Sequence, residues 1–305
     1  MQRAGKRKYS RQFWKAYLFL LPVYILLLVF KYWPFAMAVE KSFSNWNGAN
    51  VDQFIGLGNY LEAIRDRDFL LSLQNAFVVL LVYILISVTI PFVLAELVFA
   101  VRSLKTQYAL RTAFTFTMVV PGMITILIWK WILGGETGIF NTLLKSIGLS
   151  AWVHPWLGDA KTALGSILMV GFPWIGIAML GGMPFLIYFG ALQSIPGDLF
   201  DVARIDKVSL WQRILFIDLP MLKSQFKIII ALTMINALQV FDAVFVLTKG
   251  GPGTASMVPA VHIYQQAFNY NRMGYASALG VSLFALILAL TFFNHRFMQE
   301  TDKLD

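Results

Sequence analysis

Apolar residues run through this chain in long segments separated by polar ones, unlike the short alternation of a soluble domain. Six such segments stand out, at about residues 18–35, 70–99, 112–133, 162–192, 224–247 and 275–293. Crossing a hydrocarbon core takes about 20 apolar residues in helical form, so each segment is a candidate span. The pattern predicts an all-α integral membrane protein with six transmembrane helices over residues 17–298. A basic N-terminus, residues 1–16, precedes them and a short tail, 299–305, follows. Several segments carry breaks of their own. Pro91 lies in the second and Pro121-Gly122 in the third, while Pro173, Gly181-Gly182 and Pro184 mark the fourth as bent or made of two pieces. Ala36-Met37-Ala38 imitates a signal-peptidase site, but the bulky Trp33-Pro34-Phe35 before it favours a retained first helix.

Residues 193–223 form a polar island between the fourth and fifth segments. The pattern there predicts two short helices joined by a turn. Pro196-Gly197-Asp198 suits a helix start, with Asp198 a candidate N-cap. Leu199, Phe200, Val202 and Ala203 give that helix an apolar stripe. Ser209 and Gln212 have the S-x-x-Q spacing of a capping box for the second helix, and Pro220 ends or kinks it.

Composition agrees with the membrane reading. The chain has 305 residues, 58% of them hydrophobic and 13% charged, with a mean hydropathy of +0.67; soluble domains carry about 25% charge. Cysteine is absent, which excludes disulfides and thiol chemistry. The net charge of +9 has to be read by side of the membrane. Lysines and arginines crowd the N-terminus, the Arg102–Arg111 loop, the island with Lys223 and Lys227, and the tail. These segments carry more than twice as many as the three intervening loops. The positive-inside rule therefore predicts both termini and the island in the cytoplasm. Nucleic acid is a poor partner for basic residues placed beside apolar spans.

The spacing of the island resembles the cytoplasmic EAA loop of ABC importer permeases. Asp201-Val202-Ala203 stands at E-A-A, Lys207 at the Gly four residues on, and Ile217, Leu219 and Pro220 at the closing I-x-L-P. Asp for Glu, Val for Ala and Lys for Gly are departures. A Lys in place of a left-handed Gly costs about 1–2 kcal/mol unless the turn is built differently. Other segments resemble the carbohydrate-uptake class of these permeases: Phe54-Ile55-Gly56-Leu57-Gly58-Asn59-Tyr60, Ala191 to Pro196, Leu247-Thr248-Lys249-Gly250-Gly251-Pro252, and Tyr264 to Phe268. The Leu247–Pro252 motif is similar to that of the larger maltose-system permease. The resemblance implies a type I importer permease fold with a cytoplasmic helix-turn-helix coupling loop. It implies a second permease subunit as heterodimer partner, two ATPase subunits and an extracytoplasmic sugar-binding protein, in a bacterial cytoplasmic membrane. ATPase docking would fall to Leu199, Phe200, Asp201, Val202, Ala203, Arg204, Asp206, Lys207 and Pro220, with Leu199, Phe200 and Ala203 as the apolar contacts.

Catalytic chemistry is not expected of the chain. It has no G-x-x-x-x-G-K-[ST] phosphate loop, so it does not bind ATP by a P-loop, and no metal motif; the resemblance implies ATP and Mg on the partner ATPase subunits. His154, His262 and His295 are far apart in sequence. The fifth segment does carry polar residues at membrane depth. On a continuous helix Asn236, Gln239 and Asp242 share a face about 120° wide, with Thr233 one turn earlier. Polar groups there need a cavity or a partner. Two uses fit, a substrate pathway near Phe241 and Phe245 or hydrogen bonds between helices. An ATPase-independent transporter or channel is the rival class, but Asp242 has no basic residue in the sequence at its depth to complete a charge relay. The tryptophans fall at expected interfaces and outer loops, as in an aromatic belt.

Overall fold

The computed structural model describes Trp14, residues 17–174 and residues 182–301. In chain order the elements are α1 (Tyr17–Lys41), β1 (Ser44–Trp46), β2 (Asp52–Phe54), α2 (Gly58–Arg65), α3 (Arg67–Phe99), α4 (Leu104–Phe116), α5 (Gly122–Ile132), α6 (Ile139–Ser146), α7 (Ala163–Leu168), α8 (Met183–Ser194), α9 (Gly197–Ile205), α10 (Leu210–Arg213), α11 (Lys223–Leu238), α12 (Asp242–Leu247), α13 (Pro259–Tyr264) and α14 (Met273–Thr301). They divide into two compact units. One comprises residues 1–64 with 263–282, and the other residues 65–262 with 283–305.

The first unit holds α1 and a small antiparallel hairpin in which Ser44, Asn45 and Trp46 pair with Phe54, Gln53 and Asp52. The hairpin is fastened from inside. Buried Asn59 donates to the carbonyls of Ser42 and Ser44 at 2.8 and 2.9 Å, and the Tyr60 hydroxyl lies 2.7 Å from Ser42 Oγ. The Asn-Tyr pair of the first loop motif thus anchors backbone. Gly274 explains the close approach of α14: a Cβ there would meet the Ser44 carbonyl oxygen at 2.0 Å. Arg272 Nη2 reaches both oxygens of Glu62 at 2.6 Å.

The second unit is built on α3. Asp66 caps its N-terminus by accepting from the amides of Asp68 and Phe69. The other Asp66 oxygen lies 3.0 Å from His262 Nε2. α3 packs along α8 and α11. Phe92, Ala95 and Val98 of α3, Phe185, Tyr188, Phe189 and Leu192 of α8, and Leu222 with Ile229 form one buried cluster. Tyr188 meets Phe92 edge-on at 5.7 Å and Phe226 at 4.8 Å. Asn75 donates to the carbonyls of Thr254, Ala255 and Met257 and so holds the glycine-rich loop after α12.

Among the described residues, four stretches are long and apolar enough to cross a membrane: Tyr17–Lys41, Arg67–Phe99, Lys223–Leu247 and Met273–Arg296. Leu104–Val119 and Gly122–Ile132 make a fifth if that pair, bent by 85°, is one span. The expected third span therefore begins earlier and breaks at Pro121. Val120 is extended (φ −72°, ψ 120°), as a residue before proline tends to be. The expected fourth span appears as two separate short helices, α7 and α8; residues 175–181 lie outside the described residues. Among the described residues the count is therefore four or five, and six is not confirmed there.

Buried Asn59 generates a prediction. Asn59→Leu leaves two buried carbonyls unsatisfied, at about 1–3 kcal/mol. Limited proteolysis of detergent-solubilised protein should then cut residues 42–60 faster than in the parent.

Candidate functional site

Two places concentrate polar chemistry in the second unit: the helix-turn-helix of the island, and a cavity at the break after α11.

α9 begins on Pro196, with no side-chain cap; Asp198 sits in the first turn instead of capping. Its end is a Schellman turn. Val208 N–H donates to the Ala203 carbonyl at 2.9 Å and Lys207 N–H to that of Arg204 at 3.2 Å. Such a turn needs a left-handed residue at its second step, and Lys207 occupies it with φ 54°. The turn is thus the one a glycine would make, with lysine accepting the strain. Ser209 and Gln212 form the expected capping box on α10. A π turn, Ile214–Asp218, follows, then a short helical piece, Leu219–Met221, containing Pro220.

The apolar stripe of α9 divides between two faces. Ala203 is 7% exposed and, with Phe200, lines an inner groove of about 720 Å³ against Phe99 and Arg102. Val202 and Ile205 face outward at 55% and 79% exposed, and Leu199 joins them. Ala203 already has its partners within this chain. Asp201 and Arg204 pair on the surface at 3.1 Å, and Asp206 is the C-cap of α9. Arg213 joins the loop to α3: it donates to Glu96 at 2.6 Å and to Asp218 at 2.8 Å. Burial pushes the Asp218 carboxyl above its ordinary value, while Arg213 pulls it back.

The second place is a cavity of about 300 Å³ lined by Tyr83 of α3, Thr125 of α5, and Asn236, Gln239, Phe241 and Asp242. The three polar residues expected on one face do converge, though not as an arc of one continuous helix. α11 ends at Leu238, Gln239 leaves helical geometry (φ −104°, ψ 12°), and α12 restarts at Asp242. The break turns all three toward the same space. Asn236 also donates to the Leu232 carbonyl at 2.8 Å, and Phe241 stacks on Phe245 at 4.9 Å. Thr233 does not join them. It is buried and donates to Ser87 Oγ of α3 at 3.0 Å, which is the interhelical use of a polar group. Lys130 Nζ donates to the Val246 carbonyl near the end of α12 at 2.9 Å.

Residues 87–303 match the family of binding-protein-dependent transport system inner membrane components. The chain belongs to that family. This permease is 32% identical to the probable ABC transporter permease protein YurN of Bacillus subtilis, over 93% of this chain and 95% of that one. It is 32% identical to the trehalose/maltose transport system permease protein MalF of Thermococcus litoralis, over 94% of each. In fold it matches a chain of a bacterial ABC transporter involved in import of the acidic polysaccharide alginate. That match has a TM-score of 0.83 at 22% identity, over 96% of this chain and 98% of the other. The fold is therefore that of a type I ABC importer permease, and the chain is an inner-membrane component with several apolar helices.

Sequence reading missed three residues of these two places. Tyr83 and Thr125 are unremarkable within apolar segments, and only packing brings them to the cavity. Glu96 carried a signal: an acid near the end of a long apolar span is costly unless paired.

Lys207 supplies a test. Lys207→Gly removes about 1–2 kcal/mol of left-handed strain and loses about 0.4–1 kcal/mol through greater unfolded freedom. A net gain of up to about 1.6 kcal/mol should slow amide exchange at Val208. Lys207→Val, branched at Cβ, should speed it.

Proposed function

We propose that this permease is the membrane subunit of an ATP-driven importer of sugars or oligosaccharides. The observation that carries the reading is the cavity: two amides, a carboxylate, a phenol and an aromatic face at the break between two helices of a span. Hydroxyl-rich ligands suit such a lining, because each hydroxyl can both donate and accept. Relatives support the substrate class; they include a multiple sugar-binding transport system permease protein, MsmF, of Streptococcus mutans, 29% identical over 92% of this chain. A second fold match is the alginate transporter in complex with an alginate pentasaccharide-bound periplasmic protein, with a TM-score of 0.81.

In this reading a second permease completes the pathway and two ATPase subunits hold ATP and Mg. An extracytoplasmic binding protein delivers the sugar. Both termini and the helix-turn-helix face the cytoplasm of a bacterial inner membrane. The outward face of α9, Leu199, Val202 and Ile205, enters the ATPase, flanked by Asp201, Arg204 and Asp206. Lys207 and Pro220 shape the loop that presents it. Closure of the ATPase pair on ATP displaces the loop, and the broken helices change which side the cavity opens to. Coupling requires the sugar to bind the two states unequally.

Two predictions follow from the division of roles. Ile205→Asp should remove the ATPase from the complex during co-purification while the second permease remains. Gln239→Leu and Asp242→Leu should leave the complex whole and lower uptake into proteoliposomes by about tenfold, the effect of about 1.4 kcal/mol of lost contact. Maltooligosaccharide, arabinooligosaccharide and alginate oligosaccharide serve as trial substrates. A chain that purifies and transports alone, without an ATPase, would overturn the reading.

A further inference from the structure

α3 and the helix-turn-helix meet through one buried ion cluster. Arg213 uses two edges of its guanidinium: Nη2 donates to Glu96 Oε2 at 2.6 Å and Nε to Asp218 Oδ2 at 2.8 Å. The rings of Phe99 and Phe200 cover it, each with its centroid 5.6 Å from the guanidinium carbon. Glu96 is 6% exposed and Asp218 fully buried. One side chain therefore touches the end of α3 twice, α9 through Phe200, and the π turn after α10 through Asp218.

That arrangement is a poor way to gain stability. Apolar side chains of the same shape hold a buried contact as well or better, because two carboxylates and a guanidinium must all leave water. What an arginine adds is direction. Its planar fork accepts partners at fixed angles, so Glu96 cannot slide past Arg213 as two leucines could slide past each other. Two carboxylates on one cation tighten the constraint, since withdrawing Arg213 leaves two buried carboxyl groups facing each other without a cation, one of which must then take up a proton. α3 then runs from Glu96 to Tyr83 of the polar cavity, thirteen residues or about 20 Å along one helix.

We propose that Arg213 is the positioning residue that transmits displacement of the helix-turn-helix to α3, and through α3 to Tyr83 at the cavity. The assignment rests on the importer reading above. In it, Glu96 is the point on α3 that is pushed and pulled, Asp218 keeps the guanidinium aimed, and Phe99 and Phe200 exclude the water that would weaken the pairs.

The test uses the assembled transporter and Mg–ATP as its probe, so no sugar need be known. The chain has no cysteine, and a Leu85→Cys, Ile128→Cys pair places spin labels on exposed positions of α3 and α5 near the cavity. In the parent complex, Mg–ATP should shift the distance between the labels. Arg213→Met should abolish the shift with the ATPase still bound, Arg213→Lys should keep part of it, and Glu96→Gln, a milder change in shape, should reduce it. A full shift in both Arg213→Met and Glu96→Gln overturns the proposal. So does loss of the ATPase from both variants, which would make the cluster a matter of assembly alone. A parent complex that binds its ATPase but shows no shift also overturns it and leaves the importer reading standing. A parent chain that binds no ATPase sinks both.

Discussion

Polar groups buried away from water must find partners inside the protein, and the arrangement of this permease follows from that constraint. Where a partner lies on a neighbouring helix, the pair fixes packing: Thr233 on Ser87, Asn75 on three carbonyls of the glycine-rich loop, Arg213 between Glu96 and Asp218. Where several polar side chains gather around open space, the result is a cavity, as at Asn236, Gln239 and Asp242. The apolar segments supply length and partition into lipid; the few polar positions within them decide register and opening.

Breaks in the helices serve the same end. A continuous α-helix satisfies its own backbone, so it offers nothing to a ligand except side chains. At residues 239–241 the helix stops and restarts, and Phe241 with Asp242 comes to the same cavity as Asn236. The 85° bend at Pro121 brings Thr125 there from the first turn of a new helix. Backbone of this kind is tolerated within a membrane where protein or a cavity surrounds it.

Local rules were legible in the sequence. The capping box at Ser209, the polar island, the second span and the clustering of Asn236, Gln239 and Asp242 rest on short-range pattern or composition. Lys207 was legible as a problem: a side chain where a left-handed residue is wanted, which the structure resolves by straining the lysine. What pattern could not supply was which face of α9 is already covered. Leu199, Phe200, Val202 and Ala203 read as one stripe, yet Phe200 and Ala203 turn to the groove and Leu199 and Val202 to the outside. That division depends on Phe99 and Arg213, distant in sequence. Span boundaries were hard to read for a related reason, because hydropathy integrates over a window and does not see an 85° turn inside it.

Pro91 gives α3 a mechanical character that its length alone would not. It lies between Glu96 and Tyr83, and proline lacks the N–H that would bond to the carbonyl of Ser87. Bending compliance in a helix gathers at such a position. A load applied near Phe99 therefore reaches the cavity through a softened joint, and α3 acts less as a stiff rod than as two rods on a shared pivot. The longer of the two carries Tyr83, Ser87 and the Asp66 cap. Seated on α11 and the glycine-rich loop, it turns through a smaller angle than the shorter one, and Tyr83 moves with it.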